Sequence, residues 1–242
     1  TIDKNITIVG ESQSSTFIDG VGNNDAIFII NDGYQVTIQN LTIQNGYFWY
    51  KGSAIYNQGD LTVNNCTFTN NSVGNDGGAI FNLGNLTVDT CIFTENSANA
   101  GGAIFNAETL IIYDSEFTSN HANSKGAIAN WGINGYTGYI EIYNSTFSDN
   151  YANYTAGTLE NNGGTINIEG CTFTDNWTNA EGGAIRNSSG GTLNVNESTF
   201  TGNSAEYGGA IYNGDWCTTN IHFCRIVDNT ATTGDAIYNY YG

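Results

Sequence analysis

Asp149 and Asp175 stand 26 residues apart, and each lies two residues after a phenylalanine, Phe147 and Phe173. Two carboxylates at equivalent places of neighbouring repeats could lie ~5 Å apart. That separation suits a shared surface cation such as calcium, or an acid pair for hydrolysis. Glu95 and Asp228 fill the same column elsewhere, but Asn70, Ser119 and Gly202 interrupt it, so solvated surface acids are the first expectation. Lyase chemistry would add a basic residue beside acids that hold a cation. Arg186 and Arg225 are the only arginines, and neither has a cluster of acids in its own repeat that points to a site. His121 and His222 fall in different columns, which argues against a histidine metal site. With no nucleophile–base constellation, phosphate loop or cofactor motif, the chain reads as a non-enzyme without a cofactor.

The residues suited to binding are aromatic. Gly46-Tyr47-Phe48-Trp49-Tyr50-Lys51-Gly52 sets four consecutive aromatics between glycines, and Trp131-Gly132-Ile133-Asn134-Gly135-Tyr136-Thr137-Gly138-Tyr139 is a second such stretch. Exposed rings beside Asn and Thr can stack on sugars or anchor a protein partner. Tyr47, Phe48, Trp49, Tyr50, Trp131, Tyr136 and Tyr139 are therefore the candidate ligand-binding residues. The alternative is that they fold back as a lid on the side of the scaffold.

The elements that must carry these residues are repeats. Gly77-Gly78-Ala79-Ile80-Phe81-Asn82 returns as Gly101-Gly102-Ala103-Ile104-Phe105-Asn106, and the Ala-Ile landmark runs from Ala54 to Ala236 with a mean step of (236 − 54)/7 = 26 residues. A second landmark keeps phase with it, as in Phe68-x-x-Asn71, Phe93-x-x-Asn96 and Phe200-x-x-Asn203. Units of this period cannot bury their apolar faces alone and must stack. Each holds an apolar-polar-apolar strand such as Leu61-Thr62-Val63 or Ile140-Glu141-Ile142, whose period-two alternation buries one face. A second strand turns Cys or Ser and Phe inward, and a third is Ala-Ile-x-Asn.

The expected fold is all-β: a parallel β-solenoid of about nine coils with three short strands each, forming a rod roughly 40 Å long. It is read as a single domain over 1–242, with an atypical cap at 1–35, regular repeats over 36–239 and a longer coil at 127–158. The phenylalanines should stack inside, and the two Asn columns should sit at corners, adopting left-handed backbone and bonding to the next rung. The variable position of Ala-Ile-x-Asn holds Phe28, Tyr56, Phe81 and Phe105, then Ala129, Glu160 and Arg186, then Tyr212 and Tyr238. We read it as an exposed or half-exposed aromatic ladder broken in the middle.

Composition narrows the partners. A formal charge of −18 opposes binding of nucleic acid or an anionic membrane. The absence of proline suits a sheet in which each N–H is needed for pairing. No apolar run reaches the ~18 residues of a membrane span, and no signal peptide opens the chain, so an excised or mature segment is expected. Cys66, Cys91, Cys171 and Cys224 share a column with Ser115, Ser145 and Ser198, which marks small buried residues rather than a disulfide framework. A Cys217–Cys224 bridge is the one alternative, and reduced thiols outside a cell would suggest an anaerobic source. Asn-x-Ser/Thr triplets such as those at Asn65 and Asn144 permit glycosylation without showing it.

The paired landmarks, as in Phe93-x-x-Asn96 with Gly101-Gly102-Ala103-Ile104, resemble the repeats of chlamydial polymorphic outer-membrane proteins and of the adhesin-like surface proteins of methanogenic archaea. The likeness covers roughly residues 36–239. It implies a right-handed parallel β-helix of the pectate-lyase type, an extracellular cell-surface location, and a role in attachment. The Asn/Thr/Tyr-rich, thiol-containing composition favours the archaeal branch. The expected function is a surface adhesin domain, monomeric in isolation, that binds a glycan or protein on another cell. A polysaccharide lyase or hydrolase using Asp149 and Asp175 is the rival, and a passive stalk the third reading.

Overall fold

The computed structural model describes residues 1–132 and 137–241, so Tyr136 lies outside the described residues. One coil shows how the rest are built. In Asn85–Asp89, Leu86 and Val88 point inward while Thr87 stays at the surface. Thr90 takes φ 54° and turns the chain. Ile92–Thr94 then buries Phe93, and Glu95 at φ 56° makes the next corner. Ser97–Ala100 follows, Gly101 turns at φ 62°, and Ile104–Asn106 closes the coil.

After the first coil, which has three, each coil thus has four strands, not the three expected. The unexpected one is the segment after the corner Asn, Ser97–Ala100 here. It alternates in burial like the others, but its buried residues are as small as Ala98 and Ala100, so no run of bulky β-formers advertises it. Among the described residues the strands form four parallel sheets of nine, nine, eight and nine strands, taken in the order in which a coil visits them. The third begins at Tyr47–Phe48; the other three begin within residues 6–30.

In the first and second sheets register is exact to the residue through the middle of the chain, whereas the third shifts by one residue between Ala98 and Ala100. Leu61, Leu86, Leu110 and Ile140 are successive partners in the first sheet, and Phe68, Phe93, Phe117 and Phe147 in the second. A slip of one residue would turn every apolar side chain to solvent, so burial itself enforces the alignment. The core phenylalanines from Phe68 to Phe200 stack with centroids 4.6–5.0 Å apart. Phe28 departs from the expected column: it pairs with Ile55, and Ile29 pairs with Tyr56.

The Asn columns bond from rung to rung as expected but are not the left-handed residues. Asn71 Nδ2 donates to Asn96 Oδ1 and to Ile43 O, both at 3.0 Å, and the pattern continues to Asn229. An amide carries both a donor and an acceptor, so each ladder member satisfies the one before and the one after. Along the Asn71–Asn229 column positive φ belongs instead to the preceding position, at Asn70, Glu95, Ser119, Asp149, Asp175 and Asp228. The ladder amide is buried in the coil, and the turn itself is made one residue earlier, where the side chain reaches water.

The long coil keeps its strands. Ile128–Trp131 pairs with Leu159–Asn162, and Tyr139–Tyr143 pairs with Thr109–Tyr113, so the extra length lies between Trp131 and Tyr139. The cysteines are free, with Cys66, Cys91 and Cys171 buried and Cys217 and Cys224 partly exposed and unbridged.

Candidate functional site

The aromatic run at 47–50 is held by the start of the third sheet. Tyr47–Phe48 pairs with Ser72-Val73. Phe48, in line with buried Val73, is half-buried, whereas Tyr47, in line with Ser72, is 57% exposed. Trp49 and Tyr50 follow, 67% and 44% exposed. Phe48 meets both edge-on at 6.2 and 6.4 Å, Trp49 and Tyr50 lie 5.4 Å apart, and the Lys51 ammonium sits 5.2 Å from the Tyr50 ring. Mutual packing on Phe48 therefore holds the Trp49 and Tyr50 rings at the surface, and the third-sheet strand holds Tyr47 next to them in the chain.

The second predicted stretch divides differently. Trp131 is half-buried against the cluster of Phe81, Phe105 and Ala129, with the Lys125 ammonium 3.6 Å over its ring, which is the lid arrangement. Tyr139 opens a first-sheet strand, and its hydroxyl bonds to Glu141 and, at 3.1 Å, to Asn167 Nδ2. Trp131 ends a strand of the fourth sheet and Tyr139 begins one of the first, whereas Tyr47 belongs to the third.

A column that sequence reasoning missed runs along the outer face of the third sheet. Tyr47 and Ser72 are partners, as are Ser72 and Ser97, Ser97 and His121, His121 and Tyr151, Tyr151 and Trp177, and Trp177 and Ser204. His121 stacks on Tyr151 at 4.2 Å, and Tyr151 on Trp177 at 4.9 Å with 6° between planes. Burial lowers the His121 pKa and favours the neutral ring. One signal could have found the column: from Ser72 onward each of these residues immediately follows a ladder asparagine, as in Asn120-His121, Asn150-Tyr151 and Asn176-Trp177, whereas Tyr47 follows Gly46.

The variable position of Ala-Ile-x-Asn is largely covered, contrary to the expected ladder. Phe81, Ala129 and Glu160 are fully buried and Phe105 nearly so, because the residues before the paired glycines form a ladder of their own that overhangs them. That ladder includes Lys51, Asp76, Ala100, Lys125, Thr155 and Glu181. Ala100 packs on the phenylalanines, and the Lys51 ammonium lies 4.2 Å from the Phe81 ring.

Three of the chain's five basic residues, Lys51, Lys125 and Arg186, line this covered trough. Arg186 does have acidic partners: Glu181 in its own coil accepts from Nε, and Glu160 one rung back accepts from Nη1 at 2.6 Å. Burial pushes the Glu160 carboxyl up, opposed by Arg186 and by the Ser188 hydroxyl. Burial also raises Asp76 and lowers Lys125, while their opposite charges pull each back. With Glu160 enclosed, the group reads as an ionic clasp over the apolar cluster.

Asp149 and Asp175 are exposed at left-handed corners, at φ 55° and 54°, where short polar side chains are favoured for backbone reasons alone. Among the described residues, no group of three or more His, Cys, Asp or Glu side chains could hold a metal ion.

Comparison with known families agrees with this geometry. The profile described as "Right handed beta helix region" matches residues 25–183, and the chain belongs to that family. The "Chlamydia polymorphic membrane protein (Chlamydia_PMP) repeat" matches residues 197–214, which hold Phe200-x-x-Asn203 and Gly208-Gly209-Ala210-Ile211. No curated protein and no solved structure matches the chain.

Proposed function

We propose that this member of the right-handed β-helix family is the ligand-presenting part of a cell-surface adhesin. It binds a glycan or a protein on another cell through Tyr47, Trp49 and Tyr50. The observation that supports this most directly is the exposure of those three rings within one four-residue stretch, whereas the Phe68–Phe200 column is stacked and fully buried. Fixed, amphipathic rings lose little freedom on binding, which is what makes aromatic anchors effective. The polymorphic-membrane-protein repeat supports a surface location. The charge of −18 leaves stacking and hydrogen bonding, rather than a basic patch, as the means of contact. Five unbridged cysteines suit an oxygen-poor exterior, and on that ground we place the chain beside the adhesin-like proteins of methanogenic archaea.

The test is a glycan array together with a cell-attachment assay. It compares the parent chain with a variant carrying Tyr47→Ala, Trp49→Ala and Tyr50→Ala. Attachment should fall at least tenfold while the thermal midpoint stays within a few degrees, since these rings are exposed. Unchanged attachment would reject the cluster, and no attachment by the parent would leave the stalk reading.

A further inference from the structure

We propose that the free face of Trp177 is a sugar-binding subsite, in which a neutral pyranose ring stacks as the next member of the His121–Tyr151–Trp177 column. The proposal rests on the glycan-binding reading above and deepens it by naming a second contact on the same sheet. Tyr151 covers one face of the indole at 4.9 Å. The other face looks toward the next rung, where the column continues as Ser204 and then Thr230, both too short to cover a ring. Trp177 is 38% exposed there.

The space left by the shortened column is an open cleft of about 530 Å³. Trp177, Asn179, Ser204, Glu206, Thr230 and Thr232 are among its lining residues, and it is shallow and wide to solvent, so a ligand there lies against the indole face and is not enclosed. A pyranose fits this chemistry in two respects. Its axial C–H face is apolar and slightly positive, which complements the negative face of an indole already held flat by Tyr151. Its hydroxyls then point to the rim. There one Asn179 amide N–H donates to Asn153 O at 3.2 Å and leaves Oδ1 to accept, while Glu206 offers a solvent-facing carboxylate.

Charge selects among sugars. Glu206 at the rim and the overall charge of −18 repel uronates and sialates, so the ligand is a neutral glycan. Tyr47 begins the same column, separated from His121 by Ser72 and Ser97, so the cleft is a second site on one face.

The experiment titrates the parent chain, Trp177→Ala, Ser204→Trp and the Tyr47/Trp49/Tyr50 triple-alanine variant by calorimetry. The probes are tetrasaccharides of β-linked glucose, mannose and N-acetylglucosamine, with tetragalacturonate as the acidic control. Both Trp177→Ala and Ser204→Trp should weaken neutral binding at least tenfold, and tetragalacturonate should not bind. Ser204→Trp fills the slot by extending the stack and removes no buried group. Loss of binding with an unchanged melting midpoint in that variant therefore reports the slot and not damage to the fold. Binding within twofold of the parent in both single variants would overturn the proposal, as would tetragalacturonate binding as tightly as the neutral probes. If only the triple variant loses binding, the slot is rejected and the 47–50 cluster stands. If the parent binds no probe and no glycan on the array, the slot and the glycan-binding reading both fall, and cell attachment alone then decides whether the 47–50 cluster contacts a protein.

Discussion

Glu160 and Arg186 make an ion pair of 2.6 Å across one rung, and the Glu160 side chain is only 1% exposed although it projects away from the coil's interior. The overhanging ladder encloses it, so removing the arginine strands a carboxylate. Arg186→Met should cost about 3–5 kcal/mol, whereas Glu160→Leu combined with Arg186→Met should be close to neutral. Urea unfolding near neutral pH measures both. A single variant no less stable than the double variant would mean that the carboxylate is solvated and the clasp is not closed.

The Asn ladder makes a comparable demand inside the coil. Asn120 Nδ2 donates to Phe93 O at 2.9 Å and Asn150 Oδ1 at 3.0 Å, and its Oδ1 accepts from Asn96. Asn120→Ala should cost about 1–3 kcal/mol for each buried group left unpaired. Asn120→Asp should be worse, because a carboxylate would face two acceptors in a dry interior. Thermal unfolding of the two variants gives the order, and an aspartate variant as stable as the parent would show that the site admits water.

These two ladders also mark what could be read without coordinates. The first, second and fourth sheets were legible because Leu86, Val88, Phe93 and Ile104 are bulky enough to print their alternation on the sequence. The third was not, because Ala98, Ala122 and Ala152 look like loop residues, and its outer column at His121, Tyr151 and Trp177 was lost with it. Glu160 and Arg186 were placed in one column from the repeat alone. That they touch and are covered depends on the overhang at Thr155 and Glu181, a pairing made by main chain with no side-chain signature. Of the predicted binding residues, Tyr47, Trp49 and Tyr50 are exposed. Trp131 is half covered because its strand carries it over the Phe105 cluster.

The paired glycines separate close approach from backbone strain. A Cβ on Gly78 would lie 1.8 Å from Gly102 O and 2.8 Å from Ser97 O, both main chain and unable to swing aside. Gly33, at φ +81°, has nothing within 4 Å of that position. Gly33→Ala should therefore cost only the left-handed penalty, about 1–2 kcal/mol, and remain folded. Gly78→Ala should lose the regular β signal in circular dichroism and elute early on size exclusion. Equal behaviour of the two would place the cost in φ alone.

His121 should tie stability to pH through the third sheet. Its ring stacks on Tyr151 at 4.2 Å, and burial lowers its pKa from the ordinary 6.5. The unfolded chain therefore takes up its proton first as pH falls, so the unfolded state binds more protons between 6.5 and the lower folded value. Stability contributed by the neutral ring is present above 6.5 and is lost as pH drops through that window. His121→Phe keeps an aromatic in the stack and cannot titrate. The parent should lose more stability than this variant between about pH 7 and about pH 5, with His222 and the carboxylates common to both. Urea midpoints measured across that range supply the comparison. Parallel curves for the two proteins would mean that His121 has the same affinity for a proton folded and unfolded, and that the stack does not exclude the charged ring.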